Sequence, residues 1–306
     1  MALLAPSTRA HHRAPATQRT PRLARPLILW HLCSLDAPTV AALWTAFIAH
    51  SSGISLPVMA PVAMALAVWI LYAADRLLDA RLLNTLPLTP LTEHTDELEA
   101  RHLFHHRHRT LFLGGIVLCS LALAPLLLRI PPAALRLYLV EGALLVAWFL
   151  LIHATRSSLR LPKELGVGVF FAAAVFIPTV ARGPQLRLEL LPPALLFAAL
   201  CSLNCLFIYA WEHEQSVAPD RAHPTTRLAL SHLTWLSAAL ILTSATLAVW
   251  QRAAGMLWTL PTACALSLGM LLLLHANRSH IHRTSLRAAA DLALLTPLLL
   301  LGTARW

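Results

Sequence analysis

The sequence predicts an all-α, polytopic integral membrane protein, a bundle of about nine transmembrane helices. Three observations lead there. Hydrophobic residues make up 58% of the 306 positions and charged residues only 12%, well below the roughly 25% charge of an ordinary soluble domain. Mean hydropathy is +0.65. Apolar runs long enough for a bilayer core begin near Ala37, Leu56, Leu111, Ala133, Glu164, Leu190, Leu230, Met256 and Leu286, each closed by a polar, proline-containing or basic connection.

Taken in order, residues 1–26 are rich in Arg, Pro, Ala and Thr and lack the apolar core of a signal peptide, so they read as a disordered basic tail. Residues 27–306 form the transmembrane domain. Within it, 27–35 reads as a segment along the interface, and Asp36 followed by Pro38 as the start of the first span. After the second span comes an insertion over 84–109 containing His102, His105, His106 and His108. Gly114-Gly115 and Gly166-Val167-Gly168 fall in or beside spans, where close helix contact accounts for them better than a phosphate-binding loop. Trp30, Trp211, Trp250 and Trp306 fall near span ends, as interfacial anchors do. The five cysteines show no C-x-x-C pair and read as packing residues, Cys201 and Cys205 sharing one helix face.

Basic residues set the expected orientation, because Lys and Arg favour cytoplasmic loops. Of the 24, only Arg129, Arg136, Arg182, Arg187, Arg252 and Arg305 fall on the side opposite the N-terminus. The N-terminus is therefore expected in the cytoplasm and the C-terminus outside. The same distribution accounts for the net charge of +10 without nucleic acid, since the bases flank spans rather than cluster on a soluble domain.

The most informative stretch is Tyr72-Ala73-Ala74-Asp75-Arg76-Leu77-Leu78-Asp79. It sets two carboxylates one turn apart where an apolar helix ends, against the negative end of the helix dipole, so a cation is needed nearby. At the same face the fourth span delivers His153, Arg156 and Arg160, and the fifth begins at Lys163 and Glu164. The sixth ends as Asn204-Cys205-Leu206-Phe207-Ile208-Tyr209-Ala210-Trp211-Glu212-His213-Glu214. Tyr72 and Asp75 recur at the same spacing as Tyr209 and Glu212, the pattern of an internal pseudo-repeat with its site between halves. Carboxylates on two helices facing Arg and Lys on others suit a Mg²⁺-bound diphosphate, and the apolar bundle beside them suits an isoprenoid tail.

Asp75-Arg76-Leu77-Leu78-Asp79-Ala80 resembles the later part of the N-D-x-x-D-R-x-x-D-A motif of the UbiA superfamily of intramembrane prenyltransferases. Leu159-Arg160-Leu161-Pro162-Lys163-Glu164-Leu165-Gly166 similarly resembles that family's basic segment between its fourth and fifth helices. The resemblance runs from Asp36 onward and implies a UbiA-like fold. It also implies Mg²⁺-dependent transfer of a prenyl group from a polyprenyl diphosphate to an acceptor, often aromatic. Carried over by position, Asp75 and Asp79 bind Mg²⁺, Arg160 and Lys163 hold diphosphate, and Glu212 with Glu214 forms the second acidic site. Asp75, Asp79 and Glu212 are then the catalytic candidates, with Arg76, Arg156, Tyr72, Tyr209 and Asn204 as further substrate-binding candidates. The chain departs from the family where the leading Asn-Asp pair is Leu71-Tyr72, and where the second motif has no Asp in register.

Two rival readings differ in class. One is a catalytically altered protein of the same fold that binds or transports a lipid or small metabolite, with Glu141 and Asp291 as ionisable residues inside spans. The other is a membrane di-iron oxygenase, from the H-x-x-H-H pattern of His102, His105 and His106, although such sites gather several histidine boxes and this chain has one.

Overall fold

A sharp break near the start of the chain redirects the backbone before the long helices begin. In the computed structural model, which describes residues 24–83, 104–154, 163–213 and 223–302, helices α1 (Ala24–Leu32) and α2 (Asp36–Ser51) meet at 89°. Ser34 turns the corner with φ of 57°, a left-handed conformation that non-glycine residues seldom adopt. Neighbouring bonds hold it there: Leu35 N–H donates to the Trp30 carbonyl at 3.1 Å, and Trp69 Nε1 donates to the Cys33 carbonyl at 3.1 Å. The helix expected to begin at Asp36 does begin there, and α1 begins at Ala24, inside the stretch read as unstructured.

The remaining helices are α3 (Met59–Leu83), α4 (Arg109–Leu127), α5 (Pro132–Ala154), α6 (Lys163–Arg182), α7 (Arg187–His213), α8 (Pro224–Ser231), α9 (Leu233–Ala253), α10 (Thr259–Ala276), α11 (Arg283–Leu292) and α12 (Pro297–Leu300). No strand occurs among the described residues. Among the described residues, six stretches are long and apolar enough to cross a membrane: Met59–Leu78, Arg109–Leu127, Glu164–Arg182, Pro184–Glu212, Leu233–Ala253 and Thr259–Ala276. The bent α1–α2 pair makes a seventh if it is one span. The other three apolar runs correspond to α2 with 16 residues, to α5, whose far end lies partly outside the described residues, and to α11, which has 10 residues before the chain tightens into a 3₁₀ turn at Ala293–Leu295.

Aromatic packing centres the bundle. Trp44, Phe47, Phe197 and Phe207 are fully buried, and the Trp44 and Phe197 rings lie 4.1 Å apart. On α4 and α9 the order reverses, with Leu111, Val117, Leu118, Leu121, Trp235 and Leu242 exposed. A soluble protein would hide so continuous an apolar surface, whereas lipid solvates it.

Side-chain hydrogen bonds tie the 3₁₀ turn after α11 to the core. Trp44 Nε1 donates to the Leu294 carbonyl at 2.8 Å. Thr296 Oγ1 donates to the Ala263 carbonyl at 2.9 Å and meets Ser267 Oγ at 2.7 Å. Trp44→Phe keeps most of the ring volume but orphans the buried Leu294 carbonyl, so it should lower unfolding stability by about 1–3 kcal/mol. Unfolding of the full chain in mixed micelles measures this.

Candidate functional site at one end of the bundle

The break at Ser34 has a chemical consequence, because it folds two polar residues onto each other. His31, in the last turn of α1, and Asp36, the first residue of α2, are each 1% exposed, and His31 Nδ1 lies 2.5 Å from Asp36 Oδ2. Asp36 also accepts the Ala37 N–H through Oδ1 at 3.0 Å, as a carboxylate at a helix N-terminus does. From α3, the buried Arg76 brings NH2 to 3.6 Å from Asp36 Oδ2, with its Cζ 6.0 Å from the Tyr72 ring centroid.

Asp291 on α11 enters the same cluster. Its Oδ2 is 3.9 Å from His31 Nδ1, and its Oδ1 accepts a bond from Asn204 Nδ2 on α7 at 3.1 Å. One turn earlier on α11, Arg287 donates to Glu212 near the end of α7. Ser34 Oγ and His105 Nε2 are 3.4 Å apart. Nearby, Trp211 Nε1 donates to His275 Nδ1 at 3.0 Å, and Thr226 Oγ1 to Glu164 Oε2 at 3.1 Å. Polar side chains from α1, α2, α3, α7 and α11 thus join in one network, and the other end of the bundle has no comparable one among the described residues.

The electrostatics are uneven. Arg287 is paired with Glu212, one turn from Asp291, and Arg76 is the guanidinium within ion-pair distance of Asp36. In low dielectric, each buried polar atom left without a partner carries its full desolvation cost. Three such atoms occur here: Arg76 NH1, Asn204 Oδ1 and Arg287 Nε have no hydrogen-bond partner among the described residues.

The site residues expected from sequence are divided by this geometry. Asn204, Arg76, Tyr72 and Glu212 meet in or beside the network. Glu212, expected as the second acidic metal ligand, is an ion-pair partner of Arg287 instead, because α11 lays that base against the end of α7. Asn204 and Arg76, expected to face substrate, are held by Asp291 and Asp36. Asp75 is exposed, whereas Ala73 and Arg76 on the same helix are buried. Tyr209 is half-buried near the end of α7. Asp79 lies on α3 and Lys163 begins α6, but their side chains, like Arg156, Arg160 and Glu214 entirely, lie outside the described residues.

Two further expectations are corrected. Trp211, read as an interfacial anchor, is 4% exposed and bonded across to α10. His105, read as part of an insertion between spans, is buried, its ring 4.5 Å from that of Phe112, whereas His106 is exposed. Phe104 and Phe112 draw the first of these histidines inward. His102 lies outside the described residues, and among those described only His31, Asp36 and Asp291 have metal-ligating geometry.

Sequence reasoning missed His31 and Asp36 as a site. No periodicity marks a pair five residues apart across a helix break; the only cue was a His ahead of an Asp-x-Pro helix start. Asp291 did leave a signal as an acid inside an apolar run, without naming Asn204, 87 positions away. No protein family, curated protein or solved structure matches the chain.

Proposed function

We propose that this chain is a UbiA-like multi-pass membrane protein of about nine spans, N-terminus in the cytoplasm. On this reading the polar end of its bundle handles a polyprenyl diphosphate and transfers the prenyl group to an acceptor. The observation that supports this reading most is the buried Arg76, inside the D-R-x-x-D motif, with one guanidinium nitrogen lacking a partner. A guanidinium so placed is a natural contact for a phosphoryl oxygen.

Asp75 and Asp79 offer oxygen donors one turn apart, the donor type Mg²⁺ takes, and would hold that ion; Glu212 does not fit the role while paired with Arg287. Mg²⁺ would neutralise diphosphate charge as the allylic carbon–oxygen bond breaks. Arg76 would orient the diphosphate, and Lys163, Arg160 and Arg156 would balance its remaining charge from the start of α6 and the connection before it. The exposed apolar faces of the bundle would keep the prenyl tail in lipid.

The Glu212–Arg287 pair favours a second reading in which the same end binds a lipid diphosphate without turnover, since one of the two expected acidic sites is spent on an internal bond. Full-length protein in nanodiscs with radiolabelled prenyl diphosphates of several lengths and a panel of aromatic acceptors separates the two. Mg²⁺-dependent binding with consumption supports transfer; binding without consumption supports the second reading. Asp75→Asn should abolish the Mg²⁺ dependence while leaving the elution profile and helicity unchanged. Undiminished Mg²⁺-dependent binding in that folded variant would sink both.

A further inference from the structure

The His31 cluster is unused by that proposal, and its chemistry differs from the all-oxygen set of α3. His31, Asp36 and Asp291 offer one nitrogen and two carboxylate oxygens, and their ligand atoms all lie within 4.8 Å of one another. His31 and Asp36 are 1% exposed, so these groups were taken from water at considerable cost. A second observation points to an absent partner. Asn204 is 6% exposed, gives its amide nitrogen to Asp291, and leaves its carbonyl oxygen without any donor among the described residues.

Charge points the same way. Two carboxyl groups, those of Asp36 and Asp291, meet at His31, and Arg76 is the guanidinium within ion-pair distance of Asp36. We propose that His31, Asp36 and Asp291 bind one divalent first-row transition-metal ion of the Mn²⁺, Fe²⁺ or Zn²⁺ class, with the Asn204 carbonyl as a fourth donor. A mixed imidazole and oxygen set of this kind suits those ions better than Mg²⁺. Ligands about 2.1 Å from one ion sit about 3 Å apart. The 3.9 Å between His31 Nδ1 and Asp291 Oδ2 is compatible with that spacing, and the 2.5 Å between His31 and Asp36 must open slightly as the ion displaces the proton between them. Arg76 NH1 is then set beside the ion to hold an anionic ligand, a hydroxide or a phosphoryl oxygen, in its open position.

The competing state is a protonated His31 bridging both carboxylates, which needs no metal. The experiment uses full-length protein in detergent, stripped with chelator and reloaded with Mn²⁺ in the presence of excess Mg²⁺ to fill all-oxygen sites. After gel filtration, the metal-to-protein ratio is read by mass spectrometry and the ligands by pulsed electron paramagnetic resonance. One Mn²⁺ per chain with imidazole nitrogen coupling is expected. Asp75→Asn should leave both unchanged, which separates this site from the lipid diphosphate reading. His31→Ala should remove the coupling and weaken Mn²⁺ by more than the 10–100-fold typical of losing an outer-shell partner. Asn204→Asp, which adds a carboxylate, should tighten it. A folded wild-type protein that retains far less than one Mn²⁺, or retains it without nitrogen coupling, overturns the proposal, as does loss of the ion in Asp75→Asn.

Discussion

Arg76→Met is expected to destabilise the metal-stripped protein by about 3–5 kcal/mol, the cost of leaving a buried charge without its partner. Arg76 is 7% exposed and its NH2 lies 3.6 Å from Asp36 Oδ2. Methionine fills similar volume but removes the guanidinium that pairs with the buried Asp36 carboxylate. Arg76→Lys should cost less, since it keeps the charge while losing the planar fork. The sharper check is the double variant. Asp36→Asn removes the carboxylate yet retains a side chain able to bond His31, so Arg76→Met with Asp36→Asn should be less destabilised than Arg76→Met alone. Steric-trap unfolding in bicelles measures all four members of that cycle, and simple additivity would mean the two side chains are not energetically coupled.

Why Arg76 has this importance was only half legible in the sequence. Its position in the D-R-x-x-D stretch was plain, and so were the helices themselves. Those beginning at Asp36, Met59, Arg109, Pro132, Lys163, Arg187, Leu233, Thr259 and Arg283 each start within three residues of an apolar run expected from hydropathy. Burial of apolar surface is a local property, and a window of residues reads it. The site is not local. His31 and Asp36 meet through a left-handed Ser34, a residue type with no strong preference for that conformation, and Asn204 meets Asp291 through the packing of α7 on α11. Arg287 was counted among the basic residues of a membrane-flanking loop. Its pairing with Glu212 depends on where α11 starts, well beyond α7 in the chain. Reading the acids at the ends of α3 and α7 as one pocket was reasonable from charge alone, but α11 lays its own acid and base against α1 and α7.

Packing of α6 on α7 holds Lys163 and Glu164 beside the end that bears Asn204 and Glu212, and one glycine permits it. A Cβ placed on Gly168 would collide with Ser202 Oγ and stand 2.5 Å from the Ala198 carbonyl oxygen and 2.8 Å from the Ser202 backbone nitrogen. Two of those three atoms belong to the backbone of α7, so no side-chain rotation relieves the clash. Gly168→Val should therefore push the helices apart and cost about 1–3 kcal/mol or more, with loss of monodisperse elution after extraction. Gly168→Ala combined with Ser202→Ala removes the hydroxyl but not the carbonyl contact, and should recover only part of the loss. Gly269→Ala, where a Cβ meets nothing within 4 Å, is the control for helix propensity and should be neutral or slightly stabilising. If Gly168→Val elutes and unfolds like wild type, α6 does not approach α7 this closely. The alignment of the start of α6 with the end of α7, which the proposed diphosphate site requires, would then need another support.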